Sequence, residues 1–135
     1  MICDEGMEMP RRMTKDSAGY DIFAPCDMVL TTRPKTFDLG FRFEEGDMPR
    51  QACAIMVPRS STGNKKGLHI RGTLGIIDSG YRNNVLVTLK VDEGKVAFKK
   101  GDRILQFFIV PVLTIPKEIE PQEKRKGGYG STGVR

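Results

Sequence analysis

The sequence predicts a single all-β domain, a sandwich, jelly roll or barrel, on three observations. Short apolar or alternating runs recur along the chain, no window shows a long 3.6-residue amphipathic pattern, and clusters of Gly, Pro, Asp and Asn separate the runs. Many short strands at this spacing are typical of an antiparallel β fold. With 135 residues and no internal repeat, we expect one domain over residues 1–135 with an ordinary core.

The predicted strands are short and follow one another closely. In chain order they are residues 21–24, 28–30, 36–43, 51–57, 69–71, 75–77, 85–91, 96–98 and 104–114. Turn signals such as Glu45-Gly46-Asp47 and Lys100-Gly101-Asp102 lie between them. Residues 1–16 are predicted to be an irregular lead-in and residues 17–115 the barrel. Residues 116–135 are predicted to be an arm that leaves the barrel, because prolines and charges make a return to the core unfavourable.

Composition narrows the function classes. Three cysteines without a C-x-x-C spacing suit a reducing compartment and argue against a disulfide framework or a structural zinc site. No apolar run approaches the roughly 18 residues of a membrane span, so we expect no membrane partner. We expect a cytoplasmic protein, or one in the host cell cytoplasm if the chain is viral. The net charge of +5 favours anionic ligands in general, but much of it lies in the tail, and a solvated basic surface explains it better than a nucleic-acid-binding face. With no tryptophan, a stacking platform for single strands has little support.

The first polar cluster surrounds Asp21, which follows Ser17-Ala18-Gly19-Tyr20 and lies in an apolar strand. A carboxylate in such a strand is costly unless it meets a cation or hydrogen-bond donors. Asp21 is therefore either a turn-capping residue or part of a metal site.

The second cluster follows Pro58, which ends a predicted strand. Arg59, Ser60 and Ser61 come next. An arginine followed by hydroxyls can hold a phosphate or brace a nearby carboxylate. The alternative is an ordinary Ser/Thr turn or a helix N-cap.

The third and fourth clusters flank turns. Residues 72–81 are interpreted as a β-hairpin whose turn holds Asp78 and whose return strand starts at Tyr81. Main-chain groups of a hairpin can bind the polar edge of a pyrimidine, and a carboxylate there can activate water. The alternative is that Asp78 only forms an Asx-turn. In the fourth cluster, the turn at Gly101-Asp102 precedes an apolar strand that nevertheless carries Gln106.

The fifth cluster is residues 126–135, which combine four glycines, an aromatic ring, two hydroxyls and a basic flank. Glycines let backbone N–H groups approach an anion, and Tyr129 offers a flat face for a base. The pattern suggests a flexible arm that closes over a nucleotide polyphosphate on a neighbouring subunit. The alternative is a disordered basic tail.

Together, these clusters resemble in their order the five motifs of the trimeric deoxyuridine triphosphatases, the dUTPases. The resemblance covers about residues 17–133. It rests on Ala18-Gly19-Tyr20-Asp21, Pro58-Arg59-Ser60, Gly75-Ile76-Ile77-Asp78 with Tyr81, Gly101-Asp102-Arg103-Ile104 with Gln106, and Gly127-Gly128-Tyr129-Gly130-Ser131-Thr132-Gly133. It implies a jelly-roll-like β-barrel of the dUTPase (β-clip) type. It also implies a homotrimer in which each C-terminal arm reaches a neighbouring subunit to build three shared active sites.

The resemblance also implies the reaction, hydrolysis of dUTP to dUMP and pyrophosphate with Mg²⁺. That reaction keeps uracil out of DNA and supplies dUMP for dTMP synthesis. Asp78 matches the catalytic carboxylate that positions the attacking water and also contacts the sugar 3′-hydroxyl. Tyr81 matches the ring that packs on deoxyribose and leaves no room for a 2′-hydroxyl. Asp21 matches the carboxylate that holds Mg²⁺ through water.

Further matches concern the phosphates and the base. Arg59, Asp102 and Gln106 match the catalytic groups that support the phosphate site, with Arg59 and Asp102 expected to pair. Either Lys124 or Arg125 matches the basic residue at the γ-phosphate, and Arg125 offers bidentate geometry. The other implied substrate contacts are Ser60, Ser61, Gly72, Ile76, Ile77, Leu86, Tyr129 (in place of the usual phenylalanine over uracil), Gly130, Ser131 and Thr132.

Two alternatives stand beside this interpretation. A dCTP deaminase has a similar fold and a similar Arg-Ser-Ser segment, but that family places a catalytic glutamate on the strand after the hairpin. Here Thr88 occupies the matching position and cannot act as a general base. The other alternative is a regulatory binding protein on the dUTPase scaffold, a role that can coexist with catalysis.

Overall fold

The computed structural model of the protein describes residues 1–121, which are organised mostly as β-strands. A single short helix, α1, interrupts the strands of this part of the chain. The elements are β1 (Ile2–Cys3), β2 (Tyr20–Phe23), β3 (Met28–Leu30), β4 (Lys35–Asp38), β5 (Phe41–Arg42), β6 (Ala52–Pro58), α1 (Ser60–Lys66), β7 (Leu68–Ile70), β8 (Gly75–Asp78), β9 (Leu86–Val91), β10 (Val96–Phe98) and β11 (Arg103–Pro111). The all-β prediction is confirmed. No helix within residues 1–121 is long and apolar enough to cross a membrane.

The strands form two main antiparallel sheets. One has the order β2-β11-β6-β8 and the other the order β4-β9-β7, while β1-β5 and β3-β10 form smaller pairs. The buried core is aliphatic and aromatic. Phe107 lies at its centre, with ring contacts to Tyr20, Phe41 and Phe43 at centroid distances of 4.9, 6.1 and 5.2 Å. Contacts of this kind are favourable beyond the apolar area that they bury, and they hold the four-stranded sheet onto the strand pair that contains β5.

The largest difference from the sequence prediction concerns the expected hairpin at residues 72–81, which is wrong. β8 pairs with β6, whereas the following strand β9 pairs with β4 and β7 in the other sheet. Residues 79–85 therefore connect two sheets instead of turning one strand back on itself. Both strands carry apolar side chains that a pattern can assign to the core, but a pattern does not name their partners.

Smaller differences have local causes. The predicted strand 36–43 is split into β4 and β5, because Gly40 adopts φ +74°, which breaks the extended backbone. Residues 1–16, predicted to be irregular, contain β1, which pairs with β5 through Ile2↔Arg42 and Cys3↔Phe41. Helix α1 was not predicted as an element, because its sequence Ser-Ser-Thr-Gly-Asn-Lys-Lys has no apolar stripe.

The four-stranded sheet has an inner face toward the core and an outer face toward solvent. Along β6, Ala52, Ala54 and Met56 are buried, while Cys53, Ile55 and Val57 between them are only partly buried. Residues directly opposite in antiparallel strands share a face. The outer face therefore carries three cross-strand rows: Asp21–Gln106–Val57, Phe108–Ile55–Ile76 and Val110–Cys53–Asp78.

Candidate active site

One end of the outer face is built around Asp21, a carboxylate held between two arginines. Asp21 is only 8% exposed. Its Oδ1 lies 3.4 Å from Nε of Arg59, and its Oδ2 accepts a hydrogen bond of 3.2 Å from Nη1 of Arg103. A buried carboxylate requires such compensation, since an isolated charge in that position is strongly unfavourable. Asp21, Arg59, Arg103 and Gln106 are called the arginine end below.

Arg59 is positioned by the start of helix α1. It is the N-cap residue, with φ −70° and ψ 155°, and its carbonyl accepts hydrogen bonds from the amides of Thr62 and Gly63. Its side chain makes no capping hydrogen bond to the helix. Instead the guanidinium turns to Asp21 and also donates to the carbonyl of Arg103 at 3.2 Å. A helix therefore begins at this segment, but its N-cap is Arg59 and not one of the hydroxyl residues that the sequence offered as a cap. The charged group of Arg59 is left directed toward β2 and β11.

The pairing expected between Arg59 and Asp102 is wrong. Asp102 closes its own turn, because its Oδ2 accepts from the amide of Lys99 at 2.8 Å. Asp21 lies opposite Gln106 on the neighbouring strand and is buried, so it is the carboxylate that most needs the cation. Sequence reasoning also gave no role to Arg103, the second partner of Asp21. The available signal was its place inside the matched segment Gly101-Asp102-Arg103-Ile104.

Gln106 lies beside Asp21, and Gly19 is packed against its side chain. A Cβ at position 19 would lie 2.4 Å from Oε1 of Gln106, so only glycine permits this approach. Together with Ser60 these residues line a surface depression of about 310 Å³. Its lining consists of Met13, Ser17, Ala18, Gly19, Asp21, Arg59, Ser60, Arg103 and Gln106. Two guanidinium groups, hydroxyls and an amide in one depression suit a phosphate group.

The opposite end of the outer face carries Asp78 at the end of β8 and Tyr81 three residues later. Asp78 is exposed, and its carbonyl accepts from the amide of Tyr81 at 3.1 Å. Tyr81 is 9% exposed, and its hydroxyl donates to the carbonyl of Asn84 at 2.8 Å. Ser79 donates to the carbonyl of Arg50 at 2.9 Å. These bonds fix the connection around Asp78, and Asp78 with Tyr81 is called the Asp78 end below.

The Met1 amino group and Asp47 form an ion pair near Arg82, which belongs to the connection of residues 79–85. The Met1 amino group is 2.8 Å from Asp47, and that hydrogen bond raises the pKa of the amino group despite the opposing effect of burial. Burial alone would raise the pKa of the Asp47 carboxyl. The Met1 amino group and the amide of Glu44 outweigh it, and together with the charge of Arg82 they leave the pKa of Asp47 lowered. The Met1–Asp47 ion pair and the hydrogen bond from the Glu44 amide therefore stabilise the segment around Asp47.

The other predicted substrate contacts in the described part of the chain are spread along the outer face and its connections. Ser60 is exposed at the start of α1, and Ser61 is partly buried. Gly72 is exposed with φ +87°. Ile76 is 66% exposed, Ile77 is buried in the core, and Leu86 opens β9 in a partly buried position. Lys124, Arg125, Tyr129, Gly130, Ser131 and Thr132 lie outside the described residues.

The two ends are far apart within one chain. Asp21 pairs with Gln106 and, through it, with Val57 of β6, whereas Asp78 pairs with Cys53, four residues away along the same strand. At about 3.3 Å per residue and about 4.8 Å per strand, that register separates Asp21 from Asp78 by roughly 20 Å. Groups that act on one phosphorus atom must come within hydrogen-bond reach of it. Within one chain, Asp78 therefore cannot reach a phosphate held at the arginine end.

Asp21 is the protein group that the sequence predicted to hold Mg²⁺. In the part of the chain that the structure describes, no three His, Cys, Asp or Glu side chains are close enough together to form a metal cage. Asp21 offers carboxylate oxygens beside the depression, and they are already shared with two arginines. Mg²⁺ usually keeps several waters and binds through one or two carboxylates plus substrate phosphates. A single carboxylate, Asp21, that binds through water matches this coordination preference, so the residues present fit Mg²⁺.

Position 88 bears on the deaminase alternative. Thr88 is buried at 9% exposure, and its hydroxyl shares a hydrogen bond of 2.7 Å with that of Thr36 across β4 and β9. A hydroxyl in this position has no tendency to take up a proton. The strand thus lacks the general base that a deaminase of this fold requires.

Known proteins are similar to this chain over nearly its whole length. The dUTPase family model matches residues 5–133. The deoxyuridine 5′-triphosphate nucleotidohydrolase of Hydrogenobaculum sp. (strain Y04AAS1) is 33% identical over 136 residues, covering 97% of this chain and 94% of that protein.

Solved structures show the same fold. The dUTPase of Staphylococcus bacteriophage 80alpha, solved with dUPNHPP, superposes with a TM-score of 0.77 at 26% identity, covering 99% of this chain and 96% of that one. A mutant dUTPase of phage phi11 of S. aureus, described with a structural Mg(II) ion, has a TM-score of 0.72 at 23% identity, covering 96% of each chain. The expected jelly-roll-like fold is confirmed. The chain belongs to the dUTPase family.

Proposed function

We propose that this protein hydrolyses dUTP to dUMP and pyrophosphate. The observation that carries the proposal is the arginine end. There Arg59 and Arg103 converge beside Gln106 and Ser60 on a depression in the outer face, in a chain of the dUTPase family. Pyrophosphate is a densely charged leaving group, and preorganised guanidinium groups stabilise the charge that develops as it departs. In the cell, this activity keeps uracil out of DNA and provides dUMP for dTMP synthesis.

The active site is proposed to be shared between subunits of a homotrimer. The separation of roughly 20 Å between the arginine end and the Asp78 end means that one copy alone cannot act on one phosphate. In a closed ring of identical copies, the arginine end of each copy meets the Asp78 end of the next. Three equivalent sites arise in this way.

A partly exposed apolar row on the outer face supports the assembly. Phe108, Ile55 and Ile76 lie side by side across three strands of the outer face, between its two polar ends. Beyond β11, Leu113 and Ile119 are almost fully exposed, at 94% and 93%, and Ile115 is 73% exposed. Contiguous apolar surface of this kind is unfavourable in water and is typical of surfaces that another chain covers.

Asp78 is proposed to act as the general base. Its carboxylate accepts a proton from the attacking water as the water oxygen forms a bond to the α-phosphorus. The bond between the α-phosphorus and the α,β-bridging oxygen breaks, and pyrophosphate leaves with that oxygen. Positioned general bases of this kind contribute typically ~10²–10⁴-fold in rate. Arg59 and Gln106 hold the α-phosphate region and Ser60 donates to the phosphates. Asp102 acts indirectly by closing the turn before Arg103.

Mg²⁺ is the proposed cofactor, held by Asp21 through water. When bound to the triphosphate, the ion neutralises phosphate charge and so makes pyrophosphate a better leaving group. The chain's own contribution is to orient the carboxylate of Asp21. The bonds from Arg59 and Arg103 hold both of its oxygens on the wall of the depression.

Selectivity for the deoxyuridine part is proposed to come from the Asp78 end and the C-terminal arm. The ring of Tyr81, fixed through its hydroxyl to Asn84, packs on deoxyribose and excludes a 2′-hydroxyl. Main-chain groups around Gly72, Ile76, Ile77 and Leu86 contact uracil. The arm supplies Lys124 or Arg125 together with Gly130, Ser131 and Thr132 to the phosphates, and Tyr129 covers the base.

The remaining expectations are part of the same proposal. Residues 1–135 form one functional domain, with residues 17–115 as the barrel and residues 116–135 as the arm. All three cysteines are free thiols, which agrees with a reducing compartment such as the cytoplasm, of the host cell if the chain is viral. The partners are dUTP, dUMP, pyrophosphate and two further copies of the chain, with no nucleic acid and no membrane.

The first experiment is a substrate panel. Pyrophosphate release is measured with dUTP, dCTP, dTTP and UTP, with Mg²⁺ and with excess chelator. We expect turnover of dUTP far above the other three, and its loss on chelation. Comparable turnover of all four nucleotides contradicts the proposed specificity, and ammonia release from dCTP would favour a deaminase.

The second experiment tests the shared site by complementation. Asp78→Asn and Arg59→Ala are each expected to be inactive, but they damage opposite ends of the outer face. When the two variants are unfolded, mixed in equal amounts and refolded together, about a quarter of sites combine two intact ends if each site uses two chains. Activity of the mixture near that fraction supports sharing. A mixture as inactive as its components places each site within one chain.

A further inference from the structure

Thr62 is a buried polar residue to which neither the motif pattern nor the proposed mechanism gives a role. It lies in the first turn of α1 and is 3% exposed. Its hydroxyl donates to the carbonyl of Ile104 at 2.7 Å, and the carbonyl of Arg59 lies 3.1 Å away on the other side. The Arg59 carbonyl already accepts from two helix amides, so the distinctive bond is the one to Ile104.

The bond is formed at an irregular point of β11. Ile104 is fully buried and marks the shift of register between β11 and β2. Pairing of β11 with β6 begins only at Leu105↔Pro58, so the β6 ladder does not reach Ile104. The Thr62 hydroxyl therefore connects helix and strand at a place where pairing with β6 is absent and pairing with β2 shifts its register.

The two backbone segments that Thr62 connects carry the two halves of the proposed phosphate site. Arg59 and Ser60 precede it on the helix side, while Arg103 and Gln106 flank Ile104 on the strand side. Arg59 bridges the same segments through the carbonyl of Arg103, but its side chain is partly exposed and must also serve Asp21. The Thr62 bond is buried and does not depend on charge.

We propose that Thr62 is a positioning residue for phosphate binding: its buried hydroxyl sets the distance between the Arg59–Ser60 turn and the Arg103–Gln106 segment. The proposal rests on the function proposed above. Without the hydroxyl, the Ile104 carbonyl loses a buried donor, and the helix turn shifts to relieve it. Displacements of about 1 Å in a catalytic constellation can cost up to about 10²-fold in rate.

The test compares Thr62→Val, which keeps the shape and removes the hydroxyl, with Thr62→Ser, which keeps the hydroxyl. We expect kcat/KM for dUTP to fall roughly 10- to 100-fold in Thr62→Val and to return within about threefold of wild type in Thr62→Ser. Since Arg59 and Gln106 act on the transition state, most of the loss should appear in kcat. All assays are run well below the Tm of every variant.

Thr36→Val is the matched control, because it removes a threonine hydroxyl bond in the other sheet. It should lower Tm with kcat/KM unchanged. A Thr62→Val protein that shows the same pattern, a lower Tm with unchanged kcat/KM, has lost only a structural bond, and the proposal is then overturned.

A second readout is independent of turnover. The NMR signals of the Arg59 Nε–H and of the Gln106 side-chain amide should shift in Thr62→Val and not in Thr62→Ser. If wild type fails to hydrolyse dUTP, the proposed function is refuted, and these signals alone decide the role of Thr62. Unchanged signals in Thr62→Val contradict the proposal whether or not the enzyme is active.

Discussion

The arginine end and the Asp78 end occupy the same face of one sheet, but they are built in opposite ways. At the arginine end, three strands and a helix bring Asp21, Arg59, Arg103 and Gln106 into contact. At the other end, Asp78 ends an edge strand and is exposed. One chain can organise the groups that hold charge on its own. We infer that it relies on a second copy to bring the base to them.

Asp78→Asn removes the proposed base and should have the largest effect, a fall in kcat of about 10²–10⁴-fold. Because the arginine end is untouched, the Kd for the non-hydrolysable analogue dUPNHPP should change by only about twofold. The measurements are pyrophosphate release and calorimetric titration. Glu93→Gln is the control, since it makes the same chemical change at an exposed turn. Loss of analogue binding in Asp78→Asn would mean that the two ends are not functionally separate.

Ile76→Glu tests whether the apolar row joins the two ends of neighbouring copies. A carboxylate at this position, in line with Ile55 and Phe108, should prevent association, because its charge would have to be buried. Size-exclusion chromatography with light scattering should show a smaller species, with activity lost in parallel.

Val29→Glu provides the comparison for Ile76→Glu. Val29 is another aliphatic strand residue, 55% exposed, on β3 outside the four-stranded sheet. It should remain assembled and active. An Ile76→Glu protein that becomes monomeric and keeps full activity would refute the shared site.

Gly19→Ala acts on the arginine end alone. The added methyl group would overlap Oε1 of Gln106, the far end of a flexible side chain that can rotate away. The free energy of unfolding should therefore change little, while kcat/KM falls about tenfold because Gln106 is displaced from the depression. Thermal unfolding and steady-state kinetics on one preparation measure both. A large drop in Tm with unchanged kcat/KM would show that Gly19 is a packing residue only.

Asp47→Asn should have the smallest effect, a decrease in Tm of roughly 2–4 °C near pH 6–7 in a protein with an untagged Met1. The lowered pKa of Asp47 means that its stabilising contribution exists at neutral pH and is lost as pH falls through that lowered value. The raised pKa of the Met1 amino group means that its contribution is lost as pH rises through the raised value.

The Tm difference between wild type and Asp47→Asn should therefore disappear at acidic pH and shrink at alkaline pH, where the Glu44 amide and the charge of Arg82 still stabilise the Asp47 carboxylate. A pH series of thermal unfolding curves checks this. A difference that persists at both extremes would show that packing around Asp47, and not the ion pair, stabilises the Asp78 end.

The sequence by itself determined the fold class and the residues that surround the site. Alternating and apolar runs correspond to strands because period-2 patterning follows directly from the geometry of an extended chain. The clusters around Asp21, Arg59 and Gln106 could be identified because each carries polar residues that an apolar strand does not explain. Their proposed roles stay predictions.

Only the tertiary structure decided which groups meet. Strand partners are chosen by long-range packing, so the pattern could not reveal that β8 pairs with β6 and not with β9. Arg59 binds Asp21 rather than Asp102 for the same reason: burial across the sheet sets which carboxylate needs a cation, and burial is not visible along the chain. The separation of Asp78 from the arginine end is likewise a matter of register, and that separation is the reason to propose a site made by more than one chain.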